Sequence, residues 1–145
     1  MYKKIIVATD GSEIAQKATK QAIGLAKSLK AEVTAVLVTE PYEAVAFTIA
    51  EDVVDPKTYN ERTRAYADDV LSLVKNAADA EHVACKTVHK DSHYPYDGII
   101  KAAEECQADL IVVGSHGRRG LEGLLLGSQA TKVLTHTNIP TLVVR

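Results

Sequence analysis

No apolar run in the sequence approaches the roughly 20 residues needed to cross a bilayer, so no membrane-spanning helix is expected. Met1-Tyr2-Lys3-Lys4 leads into only Ile5 to Thr9, too short a run for a signal-peptide core. A cytoplasmic protein is expected. There are just two cysteines, Cys85 and Cys106, and they make no CxxC pair; reduced, buried thiols are the expectation. A basic excess is also missing. With 17 Lys and Arg against 19 Asp and Glu, the net charge is −2. That argues against a protein whose main business is coating nucleic acid, which depends on phosphate neutralisation. No repeat, linker or low-complexity stretch marks a second domain, so residues 1–145 are read as one domain.

What is present suits a globular chain: 46% hydrophobic and 25% charged residues. Lys4 to Thr9 is a β-branched run ending at Asp10-Gly11-Ser12, and it reads as a strand buried on both faces. Ser12 or Asp10 is placed to cap the helix that follows. Ala15, Ala18, Ala22, Leu25, Ala26 and Leu29 form one small-residue helical stripe. Glu32 to Val38 is a second strand. Thr39 to Lys57, with Pro41 and Pro56, has no clean period and reads as a long connection of the kind that serves as a lid. Tyr59, Thr63, Tyr66, Val70, Leu73, Val74 and Ala77 trace a second helix. His82 to His89 is expected as a strand, Tyr96 to Cys106 as a helix, and Leu110 to Val113 as a wholly apolar strand. Thr131 to Thr135 belongs to a last helix and Ile139 to Val144 to a last strand.

Strict alternation of strand and helix implies an α/β fold: an open five-stranded parallel sheet with helices on both faces. Two strand orders are natural, 3-2-1-4-5 and 2-1-3-4-5. The first is preferred because strands one and four have the ends richest in chemistry. It makes them neighbours, with a ligand crevice at the topological switch point between them.

The densest signal follows the fourth strand. Five of the eight glycines fall between Gly114 and Ser128. Glycine costs backbone entropy, so such clustering needs a reason. Close approach of backbone N–H groups to phosphate oxygens is one; a simple chain reversal is the other. The segment runs into a helix near Ser128, whose free N–H groups and positive dipole end favour an anion. The Ser128 hydroxyl adds a donor. The segment is no Walker loop, since no Gly-Lys pair occurs, and Thr9-Asp10-Gly11-Ser12 lacks GxGxxG. Asp10, at the end of strand one, is placed to accept hydrogen bonds from ribose hydroxyls or, alternatively, to cap a helix.

Gly114, Gly117, Gly127 and Ser128 meet every spacing of the pattern G-x2-G-x9-G-[ST]. Through this pattern, through Ile5-Ile6-Val7-Ala8-Thr9-Asp10-Gly11-Ser12 and through Asp109 to Arg118, the chain resembles the ATP-binding universal stress proteins. Leu126-Gly127-Ser128, Val133-Leu134 and Ile139 to Val144 extend the resemblance to the end of the chain. The resemblance implies an adenine nucleotide alpha hydrolase-like sheet of order 3-2-1-4-5, bound ATP or another adenine nucleotide, a homodimer joined through the final strand, and a cytoplasmic stress role. It also implies the nucleotide contacts. Ala8, Thr9 and Asp10 would lie by the nucleoside, with the backbone of Val38 reading adenine. Val113, Gly114, His116, Gly117 and Arg118 would line the first half of the phosphate loop, and Gly127, Ser128, Gln129 and Ala130 the second. Ala130 departs from the family, where a hydroxyl residue often stands, although Thr131 is adjacent.

Arg118 and Arg119 suit phosphate neutralisation or a solvated surface equally. His116 lacks an evident acidic partner. His89, Asp91 and His93 suggest metal ligands only superficially, because a strand end and loop do not place them on one helical face. No metal of the protein's own is expected; Mg²⁺ would be held through the nucleotide's phosphates. The leading expectation is a nucleotide-binding regulator with little turnover, since no base and no arginine is set for hydrolysis. The alternatives are a slow ATPase or phosphotransferase using Asp10, His116 and Arg118, and a nucleotide-independent dimeric interaction module.

Overall fold

A computed structural model describes residues 1–48, 54–117 and 126–145. Its strands and helices are, in chain order, β1 (Lys4–Ala8), α1 (Glu13–Leu29), β2 (Glu32–Thr39), α2 (Tyr42–Val45), α3 (Pro56–Ala80), β3 (Cys85–Asp91), α4 (Pro95–Glu105), β4 (Leu110–Gly114), α5 (Ser128–His136) and β5 (Thr141–Val144). The five strands form one sheet of order β3-β2-β1-β4-β5, and every pairing is parallel.

Alternation along each strand feeds two cores. Ile5, Val7, Val33, Ala35, Leu37, Leu110 and Val112 face α1 and α3, meeting Ala18, Ala22 and Ala26 from one helix and Ala67, Leu71, Val74 and Ala78 from the other. Ile6, Val36, Ile111 and Val113 point the other way, onto Ile99, Ala102 and Ala103 of α4 and Ala130 and Val133 of α5. Central strands read as unbroken apolar runs because both faces are covered. Each fully buried side chain such as Ile6 or Ile111 contributes about 1.5–3 kcal/mol of transfer free energy. The alanine stripe of α1 lets that helix lie close on the sheet.

Helix boundaries follow local chemistry. Ser12 caps α1, its Oγ accepting from the Ala15 N–H at 3.3 Å. Lys30, in the left-handed region with φ 54°, ends that helix. Asp55 caps α3, accepting from the Thr58 N–H at 2.7 Å, and Pro56 occupies the first turn, where no N–H is needed.

Three expectations change. The stretch 39–57 is not uniformly irregular: α2 lies within it and α3 starts at Pro56, while residues 49–53 of the expected lid lie outside the described residues. The core face of α3 is Ala67, Leu71, Val74 and Ala78, and Leu73 is 69% exposed, so the expected stripe is rotated towards one flank. The third strand starts at Cys85 rather than His82. His82, with φ 58°, and Val83, whose N–H reaches back to the Ala78 carbonyl, are spent on ending α3.

Candidate functional site

Parallel pairing of β1 with β4, Val7 opposite Val112, brings the two loops at their carboxyl ends side by side. The loop after β1 is tightly specified. Thr9 is buried; its N–H donates to the Val36 carbonyl at 2.9 Å and its Oγ1 accepts from the Gly11 N–H at 3.2 Å. Asp10 Oδ1 accepts from the Ser12 N–H at 2.9 Å, which orients the carboxylate. Ser12, not Asp10, caps α1, so the alternative use of Asp10 as the helix cap falls away. Gly11 has φ 81°, a conformation that side chains resist.

The loop after β4 is held from two sides. The Ser115 N–H donates to the Val144 carbonyl at 2.7 Å, and the Ser115 carbonyl accepts from the Gly127 N–H at 2.5 Å. That second bond ties the start of the glycine-rich segment to its end, at the foot of α5. The glycines are there for space. A Cβ on Gly117 would lie 2.8 Å from Asp10 Oδ2, and one on Gly127 would lie 3.0 Å from the Ser115 carbonyl oxygen and 3.1 Å from His116 Cα. One on Gly114 would press on Ile14 and on the His116 carbonyl, each at 3.2 Å. The Asp10 carboxylate thus faces the first glycine loop across the β1–β4 crevice.

Helix α5 opens with Gly127 as its N-cap and no side-chain cap hydrogen bond. Its first N–H groups therefore point out of the helix start with the dipole's positive end behind them. Ser128 is exposed at this end. The Gln129 side chain has a partner on another helix: its Oε1 accepts from the Tyr96 N–H at 3.0 Å, tying α5 to the first turn of α4. Ala130 turns its side chain into the core, 5% exposed, and offers only backbone to the crevice. The Thr131 hydroxyl donates to the Gly127 carbonyl at 2.9 Å, so it satisfies the helix rather than standing in for a missing hydroxyl at position 130.

Ala8 and Val38 are half-buried at the ends of their strands, and Val113 is buried. Val38 packs closely on α4, where a Cβ at Gly98 would sit 2.7 Å from Val38 Cγ1. His116 is exposed, its Nδ1 3.2 Å from Ser115 Oγ. Arg118 and Arg119 lie outside the described residues. His89 and Asp91 share Thr39 Oγ1, each at 2.7 Å, at the ends of β2 and β3, away from the β1–β4 crevice. Among the described residues no group of three or more His, Cys, Asp or Glu could hold a metal ion. Burial pushes the Cys85 thiol above its ordinary pKa, which keeps it in the inert protonated form.

Sequence reasoning missed two residues of this end of the molecule, Tyr59 and Tyr66 of α3. Tyr59 Oη donates to the Glu40 carbonyl at 2.7 Å, and Tyr66 Oη donates to the Asp10 carbonyl. Their seven-residue spacing was the available signal.

An open parallel α/β sheet with a glycine-lined crevice at its switch point defines the class of the molecule. Within that class the chain belongs to the universal stress protein family, whose model matches residues 1–145. It is 35% identical over 147 residues to universal stress protein MJ0531 of Methanocaldococcus jannaschii, covering 100% of this chain and 83% of that one. It is 30% identical over 156 residues to universal stress protein MJ0577 of the same organism, covering 100% and 96%. The solved MJ0577 structure superposes with a TM-score of 0.79, covering 99% of this chain and 96% of that one at 30% identity. Two more distant structures share the fold. One is a universal stress protein in complex with cAMP, with TM-score 0.75, 23% identity and coverage of 99% and 97%. The other is the Archaeoglobus fulgidus protein in complex with dAMP, with TM-score 0.73, 22% identity and coverage of 99% and 98%. Among the described residues no helix is long and apolar enough to cross a membrane.

Proposed function

We propose that this chain binds an adenine nucleotide, ATP foremost, in the β1–β4 crevice, and that it acts as a cytoplasmic stress-response regulator with little or no turnover. The observation that carries the reading is the glycine cradle. Gly117 and Gly127 stand where a Cβ would meet Asp10 or the Ser115–His116 backbone, next to a helix start that has no side-chain cap. A backbone surface of that kind suits phosphate oxygens, which need close N–H approach. Gly114, Gly117, Gly127, Ser128 and the backbone of Gln129 and Ala130 would hold the phosphates, and His116 and Arg118 are further candidates for contact with them. Ala8, Thr9 and Asp10 would meet the nucleoside, Asp10 accepting from the ribose, and the Val38 backbone would read the base, with Val113 leading into the phosphate loop. Mg²⁺, if taken up, would be held through the phosphates. The family supports the reading, since members with this fold have been solved with cAMP and with dAMP, both adenine nucleotides.

The chain is further proposed to act as a homodimer through β5, with no nucleic-acid role, as its net charge of −2 suits. The decisive experiment is denaturing extraction of the purified protein, followed by mass identification of co-purified nucleotide and calorimetric titration with ATP, AMP and GTP. Adenine nucleotide in the extract and a preference for ATP over GTP are expected. No binding of any adenine nucleotide would overturn the reading.

A further inference from the structure

Helix α3 packs on the sheet through Ala67, Leu71, Val74 and Ala78. Tyr59 and Tyr66 lie off that face, seven residues apart and so on one flank, separated by about 10 Å along the axis. Each uses its hydroxyl in the same way, donating to a main-chain carbonyl just beyond the carboxyl end of a strand: Tyr66 to Asp10 after β1, and Tyr59 to Glu40 after β2. The two strands are neighbours, Ala8 opposite Val36. One helix flank therefore grips two adjacent loops of the crevice end.

The grip on the first loop is close. A Cβ at Gly11 would sit 2.5 Å from Tyr66 Oη and 3.1 Å from Val70 Cγ2, so the loop lies directly against the Tyr66–Val70 pair. Asp10 is consequently fixed at both ends: Tyr66 holds its carbonyl, while the Ser12 N–H orients its carboxylate, which faces Gly117. The grip on the second loop is braced by Tyr42, whose ring meets that of Tyr59 edge-on, centroids 5.7 Å apart. Glu40 is two residues past Val38. Burial alone would be served by phenylalanine; what tyrosine adds is a donor for a loop carbonyl.

We propose that Tyr59 and Tyr66 are positioning residues for the nucleotide, a role that rests on the binding function proposed above. Neither touches the ligand. Tyr66 holds the Asp10 loop in register with the glycine loop, and Tyr59 holds the chain that follows Val38.

The test is calorimetric titration with ATP of the wild type, Tyr66→Phe, Tyr59→Phe, Asp10→Ala, and Asp10→Ala combined with each phenylalanine variant. Each phenylalanine variant keeps the ring and should bind ATP about fivefold more weakly, the worth of one neutral hydrogen bond. Because Tyr66 acts through Asp10, Tyr66→Phe should add little once Asp10 is alanine, whereas Tyr59→Phe should retain its full effect there. A purely structural role would lower the melting temperature and leave ATP affinity unchanged, and that result would overturn the proposal. Tyr66→Phe losing as much affinity beside Asp10→Ala as alone would overturn the route through Asp10. A wild type that binds no adenine nucleotide would overturn the proposed function and the positioning role with it; wild-type binding with both phenylalanine variants unaltered would overturn the positioning role alone.

Discussion

Gly117 lies against the Asp10 carboxylate so closely that a Cβ there would stand 2.8 Å from Oδ2. The contact joins the loop after β1 to the loop after β4, and it leaves no room between them for side-chain bulk. Gly127 is constrained by space too, since its φ of −74° suits any residue. Gly117→Val and Gly127→Val should each weaken ATP binding at least about tenfold, or 1.4 kcal/mol. Calorimetric titration of the folded variants checks this. Unchanged affinity in both would remove the glycine segment from the site.

Asp10 is the second test. If its carboxylate accepts a charged hydrogen bond from the ribose, Asp10→Ala should cost about 1.5–3 kcal/mol of ATP affinity. The loss should be smaller for 2′-deoxy-ATP if the 2′-hydroxyl is the partner. Equal losses for the two nucleotides would assign Asp10 to ordering its own loop through the Ser12 N–H.

Asp55 provides a pH test away from the site. Its carboxyl is held below the usual carboxylate range by the Thr58 backbone N–H and then by the Thr58 hydroxyl. A lowered folded-state pKa means stability that is present above the unfolded value, about 3.9, and lost as pH falls through the folded value. Asp55→Asn keeps a capping oxygen but cannot titrate. It should therefore flatten the acid limb of stability below about pH 4 and leave the melting temperature near pH 7 almost unchanged. Identical acid limbs in urea titrations of the two proteins would refute the assignment.

The strand order was legible because chemistry crowds the ends of just two strands, and of the two orders that right-handed crossovers leave, only 3-2-1-4-5 makes these neighbours at a switch point. The tight spacing at Gly114, Gly117 and Gly127 was legible because close approach of neighbouring groups is written in residue type. Helix α3 was harder. Its apolar count is raised by Tyr59 and Tyr66, whose hydroxyls serve carbonyls 19 and 56 residues away, pairings that no local period encodes. The stripe was accordingly drawn through Leu73, which faces solvent, instead of Ala67, Leu71 and Ala78. The start of α3 was written in Asp55-Pro56, a cap followed by a proline, inside a stretch whose lack of period hid it. Strand β3 is an edge with Lys86 and Thr87 exposed, so its alternation is weak and its first residues are claimed by the turn at His82. Gln129 fell within the loop pattern by position, yet its side chain is spent on the Tyr96 N–H.

The two edges of the sheet differ in a way that bears on assembly. β3 carries Lys86, Lys90 and Asp91, charges that discourage pairing with another chain. β5, Thr141-Leu142-Val143-Val144, carries none, and Leu142 is 36% exposed. On the β4 side, the Pro140 carbonyl accepts from the Ile111 N–H at 2.9 Å and the Val144 carbonyl from the Ser115 N–H at 2.7 Å. Strand alternation then turns the backbone groups of Thr141 and Val143 towards the outer edge. A second copy related by a two-fold axis would pair there antiparallel, extending the sheet and closing the assembly at two chains. Light scattering at micromolar concentration should report about twice the 15.6 kDa chain mass. Val143→Pro removes an outward N–H without taking a bond from the β4 ladder, and it should shift the protein to the single-chain mass while a cooperative melting transition persists. A wild-type monomer, with or without ATP, would rule out the β5 dimer; a Val143→Pro variant that stays dimeric would place the interface elsewhere.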